Sequence, residues 1–276
     1  MPECLKQIRV KKRGSFFDVP CGKCNFCLQN RRKQVSYRLQ KELLYHDNAD
    51  FLTLTYSDEN LTYADDDFGN TYPVLVKDEF QRFMKRLRKA QKLVSDDKLK
   101  YYAVGEYGAK TSRPHYHLLL FSCAPSVVCD VDSIWKLGRS HRGGVTLDSV
   151  DYVVSYIVEK EEQRHFVVPP FALMSKGLGK QYLLDNEEYF RSRDVVVNGR
   201  GYRQAVPRYY RDLLKNKPKF GSSVVSRKKL VEMDEKYNEE VEKLDRKGYE
   251  NSVAYLEERR KYNHDRIKSK YDRKTF

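Results

Sequence analysis

The sequence predicts an α+β fold in which antiparallel strand pairs alternate with amphipathic helices. Three observations carry that expectation. Two apolar runs, KYYAVGEYG and HYHLLLFS, flank the polar turn AKTSRP, the pattern of a hairpin. The segment DEFQRFMKRLRKAQKL sets Phe80, Phe83, Met84, Leu87 and Ala90 on one helical face. FLTLTYS, from Phe51 to Ser57, has the β-branched and aromatic content of a strand.

In chain order, residues 1–44 hold eleven basic and three acidic residues and four of the six cysteines. After VPCGKCNFC, Leu28, Val35, Leu39 and Leu43 recur near helical spacing and predict a basic amphipathic helix. The strand FLTLTYS follows, then a loop over 58–72 containing Asp65, Asp66, Asp67, Gly69 and Asn70. Asp78 is the expected cap of the next helix, and the strand pair comes after it. A short helix is expected at 133–137. Gly138, Gly143 and Gly144 then break the chain before a helix over DYVVSYIVEKEE. VVVNGRGYR reads as a hairpin turning at Asn198–Gly199. From Ser223 onward half the residues are charged, fifteen basic and twelve acidic, which predicts a long solvated helix interrupted near Gly248. The expected division is 1–44, 45–222 and 223–276. No internal repeat is present.

Composition narrows the partners. A net charge of +14 and a pI near 9.3 attract polyanions, and nucleic acid is the commonest, because each neutralised phosphate releases a counterion. Hydrophobic residues at 40% support a core, while 33% charged residues and a mean hydropathy of -0.77 give it a charged periphery. Twenty-one tyrosines and thirteen phenylalanines offer stacking platforms for unpaired bases. No apolar run is long enough to span a bilayer, and MPECLKQIRVKKRG lacks the apolar segment of a signal peptide. A cytoplasmic location without membrane partners is therefore expected, where thiols stay reduced and six cysteines read as metal ligands or buried thiols.

Three constellations carry chemistry. In the strand Arg113-Pro114-His115-Tyr116-His117, alternation puts both imidazoles on one face. Glu106, on the preceding strand, can reach the same divalent metal. Such a site leaves positions open for a phosphate oxygen. In Asp151-Tyr152-Val153-Val154-Ser155-Tyr156-Ile157-Val158-Glu159-Lys160, helical spacing aligns Tyr152, Tyr156 and Lys160. A tyrosine hydroxyl can attack phosphorus and a lysine can steady the phosphate. Cys21, Cys24 and Cys27 have CxxCxxC spacing. With Cys4, or with a histidine such as His46, they would complete a tetrahedral Zn²⁺ site, and the same ligands could hold an iron–sulfur cluster. Cys123 and Cys129 are expected to be buried or inert.

These motifs resemble those of the HUH endonucleases, named for a histidine, a bulky apolar residue and a second histidine, followed by a tyrosine-bearing helix. FLTLTY, GEYG with RPHYHLLLF, and YVVSYIVEK occur in the order seen in the replication initiation proteins of the Microviridae. VPCGKCNFCLQNRR is similar to the leader of their gokushovirus branch, and the resemblance spans roughly residues 1–185. It implies an HUH endonuclease-like antiparallel sheet with helices on one face and a bound Mg²⁺ or Mn²⁺. His115, His117 and Glu106 become metal ligands, Tyr152 and Tyr156 nucleophile candidates, and Lys160 their helper. Relatives often carry a lysine three residues after the second tyrosine, where this chain has Glu159. MSKGLGKQYL also looks like a family motif.

The implied activity is origin nicking of single-stranded DNA through a covalent 5′-phosphotyrosine, starting rolling-circle replication in a bacterial host cell. Single-stranded origin DNA and the host replication machinery are the implied partners. A relaxase or plasmid replication initiator would use the same chemistry. A non-catalytic, zinc-containing nucleic-acid-binding protein is the alternative of another class. No GxxxxGK[ST] loop is present, which argues against an attached helicase.

Overall fold

The computed structural model describes residues 4, 6–12, 14–108, 111–159, 167–215, 235, 238–249 and 251–272. The chain forms two compact units, 1–31 with 211–276, and 32–210. The hairpin of β1 (Ile8–Lys12) and β2 (Ser15–Val19) precedes α1 (Asn25–Leu43). Next come β3 (Ala49–Thr55), the small hairpin of β4 (Tyr63–Asp65) and β5 (Thr71–Pro73), and α2 (Lys77–Val94). The long strands β6 (Lys100–Tyr107) and β7 (Pro114–Phe121) lead to the short helices α3 (Pro125–Cys129) and α4 (Val131–Trp135). Then follow β8 (Ser140–Gly144), α5 (Leu147–Glu159), β9 (Phe171–Met174), α6 (Lys180–Asp185) and α7 (Glu187–Arg191). The hairpin of β10 (Val195–Val197) and β11 (Arg203–Ala205) comes before α8 (Arg208–Lys215). Residues 238–245 form α9, and α10 spans Ser252–Asp272.

The fold is α+β. Its main sheet is wholly antiparallel, ordered β8-β3-β7-β6-β9. Helices cover both of its faces rather than one. Leu52, Leu54, Leu118 and Leu120 meet Phe80, Phe83, Met84 and Leu87 of α2, together with Trp135 of α4. On the other face Val104, Leu119 and Phe121 meet Val35 and Leu39 of α1 and Val150, Val153 and Val154 of α5. The reason lies in β6 and β7, which are apolar on both sides and would leave a greasy face in water under a single layer. Fully burying one such phenylalanine or leucine is worth about 1.5–3 kcal/mol.

Local departures from the expected elements have local causes. Asp78 is not a cap: α2 begins at Lys77 after extended Val76, so Asp78 and Glu79 sit inside the first turn, where their charge meets the helix dipole. The segment 58–72 is not all loop, because Asp66 accepts from the backbone N–H of Phe68 and Asn70 and folds the tip of the β4–β5 hairpin. The short helix runs from Val131 to Trp135, earlier than expected. Gly143 and Gly144 do not break the chain but end edge strand β8. At Gly138 the preceding turn presses on β3, and a Cβ there would lie 2.1 Å from the Thr55 carbonyl oxygen.

The SKGLGK segment forms a junction against α1. Gly179 has a φ of +73°, Arg38 Nε donates to the Leu178 carbonyl at 3.0 Å, and Tyr210 donates to the Gly179 carbonyl at 2.6 Å. The buried Glu42 carboxylate accepts from Gly179 N (2.5 Å) and Lys100 Nζ (2.5 Å), and lies 2.7 Å from His46 Nε2. Burial opposes its ionisation. The hydrogen bonds from His46, Lys100 and Gly179 outweigh burial and hold the carboxyl down at about 2.

Candidate active site

β7 delivers the two histidines by simple alternation. Tyr116, between them, points the other way into the core, where its hydroxyl donates to the Val76 carbonyl at 3.0 Å and lies 2.9 Å from the Tyr56 hydroxyl. That anchor, with LLLF behind it, sets the depth at which His115 and His117 emerge. Across the ladder Glu106 pairs in register with His115, and Val104 with His117. Glu106 Oε1 lies 2.6 Å from His115 Nε2 and 3.0 Å from His117 Nε2. Glu106 and His117 are only 5% and 6% exposed, so their polar atoms have little access to water.

The outer nitrogens decide what the inner ones can do. His115 Nδ1 donates to the Arg113 carbonyl at 3.1 Å, and His117 Nδ1 lies 2.8 Å from Thr53 Oγ1. The carbonyl fixes a proton on His115 Nδ1, and when Thr53 accepts from His117 Nδ1 in the same way, both Nε2 lone pairs aim at the Glu106 oxygen. Three electron-rich atoms so close together need a proton or a cation between them. The pKa of His115 accordingly rises: burial works against the charge, but the hydrogen bond and charge of Glu106 prevail. Two imidazole nitrogens and one carboxylate oxygen, all within 4.8 Å of one another, form a donor set that a divalent metal fits.

α5 brings the tyrosines to the same place. The His117 ring centroid is 5.3 Å from that of Tyr152 and 5.7 Å from that of Tyr156, and the two tyrosine rings are 5.2 Å apart. Phe51 closes the group, 5.6 Å from His117 and 6.2 Å from Tyr152. Tyr152 is 48% exposed, open to a large substrate. α5 is held at Asp151, beside Tyr152, by Ser36 Oγ (2.8 Å) and Arg200 Nε (2.8 Å). Lys160 lies outside the described residues.

Thr53, Asp151 and Arg113 were not among the residues expected at the site. Arg113 bridges the Asp58 carboxylate and the Tyr56 carbonyl, both at 2.6 Å, just ahead of the histidines. Asp151 adjoins the tyrosine motif in sequence. Thr53 carries no such mark, since only strand pairing sets it opposite His117.

The second cluster lies in the smaller unit. The sulfurs of Cys4, Cys21, Cys24 and Cys27 all fall within 4.8 Å of one another. Cys21 and Cys27 are 3.9 Å apart, and Cys24 and Cys4 3.8 Å. A tetrahedron with metal–sulfur bonds of about 2.3 Å has edges of about 3.8 Å. Backbone N–H groups of Lys23 and Cys24 donate to the Cys21 sulfur; they overcome burial and bring its thiol down to about 6, while burial pushes Cys4 and Cys27 up. His46 is engaged instead by Glu42 and by Ser122 (2.6 Å). Of the other cysteines, Cys123 is buried, with its thiol pushed up to about 12, whereas Cys129 is exposed.

A family model described as replication-associated protein ORF2/G2P matches residues 49–162, the stretch holding the histidines and tyrosines. Replication-associated protein VP4 of Bdellovibrio phage phiMH2K is 32% identical over 231 residues, 75% of this chain and 70% of that protein. This chain belongs to the Microviridae replication-associated proteins. Other members of the family are replication-associated protein ORF2 of Spiroplasma virus 4, 30% identical over 70% of this chain and 66% of its own, and replication-associated protein ORF4 of Chlamydia phage 1. The latter is 26% identical over 72% of this chain, which spans about half of it, 54%. No solved structure matches. Among the described residues no helix is long and apolar enough to cross a membrane.

Proposed function

We propose that this family member starts rolling-circle replication by nicking single-stranded origin DNA through a tyrosine, and later rejoins the strand. The observation that carries the reading is the meeting of both tyrosine rings of α5 with His117 of the Glu106–His115–His117 set. The three residues would hold Mg²⁺ or Mn²⁺, which supplies polarisation of the scissile phosphodiester and neutralises charge on the departing 3′-oxygen. Tyr156 or Tyr152 attacks phosphorus. A bond forms from the tyrosine oxygen to phosphorus as the bond from phosphorus to the 3′-oxygen breaks, leaving a 5′-phosphotyrosine and a 3′-hydroxyl. Host polymerase extends that hydroxyl. The second tyrosine repeats the step on the regenerated origin, and the first 5′-phosphotyrosine is resolved by the new 3′-hydroxyl, closing a circle. Phosphodiester energy is retained throughout, so no nucleotide cofactor is needed. Lys160, next in sequence to Glu159, is the proposed phosphate partner.

In this reading 45–222 is the HUH endonuclease domain, 1–44 a basic zinc-binding segment, and 223–276 a charged helical extension. The sulfur spacing supports one Zn²⁺ at Cys4, Cys21, Cys24 and Cys27 over an iron–sulfur cluster, whose iron and sulfide core would hold the thiolates farther apart. Zn²⁺ there would tie the residues ahead of β1 to the start of α1.

The test is a covalent-adduct assay on circular single-stranded DNA bearing the cognate origin, with Mn²⁺ or with chelator. The expected result is a protein–DNA band that survives denaturation, needs the metal, and is lost in His115→Ala/His117→Ala. Tyr152→Phe and Tyr156→Phe separate the first nucleophile from the second. Binding without adduct or nick on an authentic origin would leave a zinc-containing nucleic-acid-binding protein as the better account.

A further inference from the structure

The edge strand β8 supplies a surface that the nicking chemistry does not use. Its register sets His141 opposite Thr53, and continuing one pair sets Arg139 opposite Thr55, whose N–H donates to the Arg139 carbonyl at 2.9 Å. Thr53 and Thr55 in turn face His117 and His115. Residues directly opposite in an antiparallel ladder share a face. Arg139 and His141 therefore stand on the same face as His115 and His117, two strands away, about 10 Å at the usual strand spacing.

The two faces of this strand are treated differently. Arg142 faces the other way, and Asp50 engages its guanidinium at 2.7 Å. Arg139 and His141 are exposed, and no hydrogen bond or ion pair with another described residue holds either side chain. Gly143, next on the site face, lies opposite Phe51, and a Cβ built on it would meet nothing within 4 Å. That leaves a ledge bearing a guanidinium and an imidazole, with open space beside an aromatic ring, the combination that suits a phosphate backbone carrying an unpaired base.

The geometry points to β8 as the track of the single strand: Arg139 and His141 bind phosphates flanking the scissile one, and Gly143 leaves room for a nucleotide against Phe51. This rests on the nicking reading for what happens at the metal set, but the track is a binding site in its own right.

The experiment measures binding of the full chain to a single-stranded oligonucleotide by fluorescence anisotropy, without added divalent metal, across a salt series. Arg139→Ala/His141→Ala should bind at least ten-fold more weakly. Its plot of log affinity against log salt should flatten by about 0.7 for each phosphate that is no longer neutralised. Gly143→Val, a residue that strands favour, should keep the wild-type Tm and weaken binding several-fold without changing the slope. Lys89→Ala, exposed on α2 across the sheet, should bind as wild type. Wild-type affinity and slope in the double variant, an equal loss in Lys89→Ala, or wild-type binding by folded Gly143→Val would each overturn the track. If the wild type forms no adduct with its origin while these losses occur, the nicking reading falls and the track stands. Adduct formation with unaltered binding in the variants sinks the track alone.

Discussion

Thr53 decides which nitrogen of His117 faces the metal position. Its hydroxyl oxygen lies 2.8 Å from Nδ1; accepting a hydrogen bond from Nδ1–H, it would leave the Nε2 lone pair turned to Glu106 and free for a metal. Partners of this kind commonly change metal affinity by about 10–100-fold when removed. Thr53→Val keeps the β-branched shape and deletes only the acceptor. We expect Mn²⁺ affinity, measured by calorimetry or by its paramagnetic resonance, to fall roughly ten-fold with the Tm little changed. Unaltered Mn²⁺ affinity would mean that the ring is oriented by its stacking on Phe51 and Tyr156 instead. At this scale the histidines, Glu106 and the tyrosines were readable, because their chemistry is rare and their spacing regular. Thr53 was not, since sixty-four residues separate it from its partner.

Among the elements, α1 does more than its sequence suggests. The pattern Val35, Leu39, Leu43 marked its apolar face, but its polar side organises the larger unit as well: Ser36 holds Asp151 of α5, and Glu42 gathers Lys100 of β6 and the backbone of Gly179. Because folding lowers the Glu42 carboxyl from 4.5 to about 2, its contribution is fully present above about pH 4.5 and is lost as pH falls toward 2. Glu42→Gln should cost roughly 2–4 kcal/mol near neutrality, since it leaves a lysine beside a buried carbonyl-like group. Chemical denaturation of wild type and variant from pH 7 down to 3 checks this: the stability gap should narrow from about pH 4.5 downward. A gap constant over that range would place the stabilisation elsewhere. The same helix accounts for Gly179 of the SKGLGK motif, which packs against the Arg38 backbone and donates to Glu42, with Tyr210 of α8 on its carbonyl, all distant in sequence.

On the scale of the whole molecule, two clusters able to hold a metal, opposite in character, share one chain. One is four thiols at tetrahedral spacing, which favour Zn²⁺. The other is two imidazoles with a carboxylate and leaves positions open. Purified protein should carry about one tightly held Zn²⁺ per chain by elemental analysis, because a closed four-thiolate site has no position left for exchange. Cys24→Ser should lose that zinc and keep Mn²⁺ binding at His115 and His117. Zinc retained in the variant would assign the metal to other ligands, and loss of both metals together would show the sets to be coupled. The net charge of +14 acts over the entire surface and favours any polyanion; selection of single strands has to come from local groups such as those along β8.

By itself the sequence determined the chemistry available: an alternating histidine pair in a strand, two tyrosines on one helical face, a CxxCxxC run, and a basic surface. Those features are local, so periods of two and of about 3.6 residues are enough to read them. It also set the limits of α2, β6 and β7 closely, where long regular patterns dominate. Only the tertiary structure decided that helices cover both sheet faces, that Cys4 rather than His46 completes the thiol cluster, and that glycine-rich 140–144 is a strand. Each of these depends on a partner far along the chain. Gly143 and Gly144 have no strand preference of their own and adopt extended geometry because β3 offers its edge. The convergence of Tyr152 and Tyr156 on His117 is of the same kind: local periodicity aligned each pair, and packing of α5 on the sheet brought the pairs together.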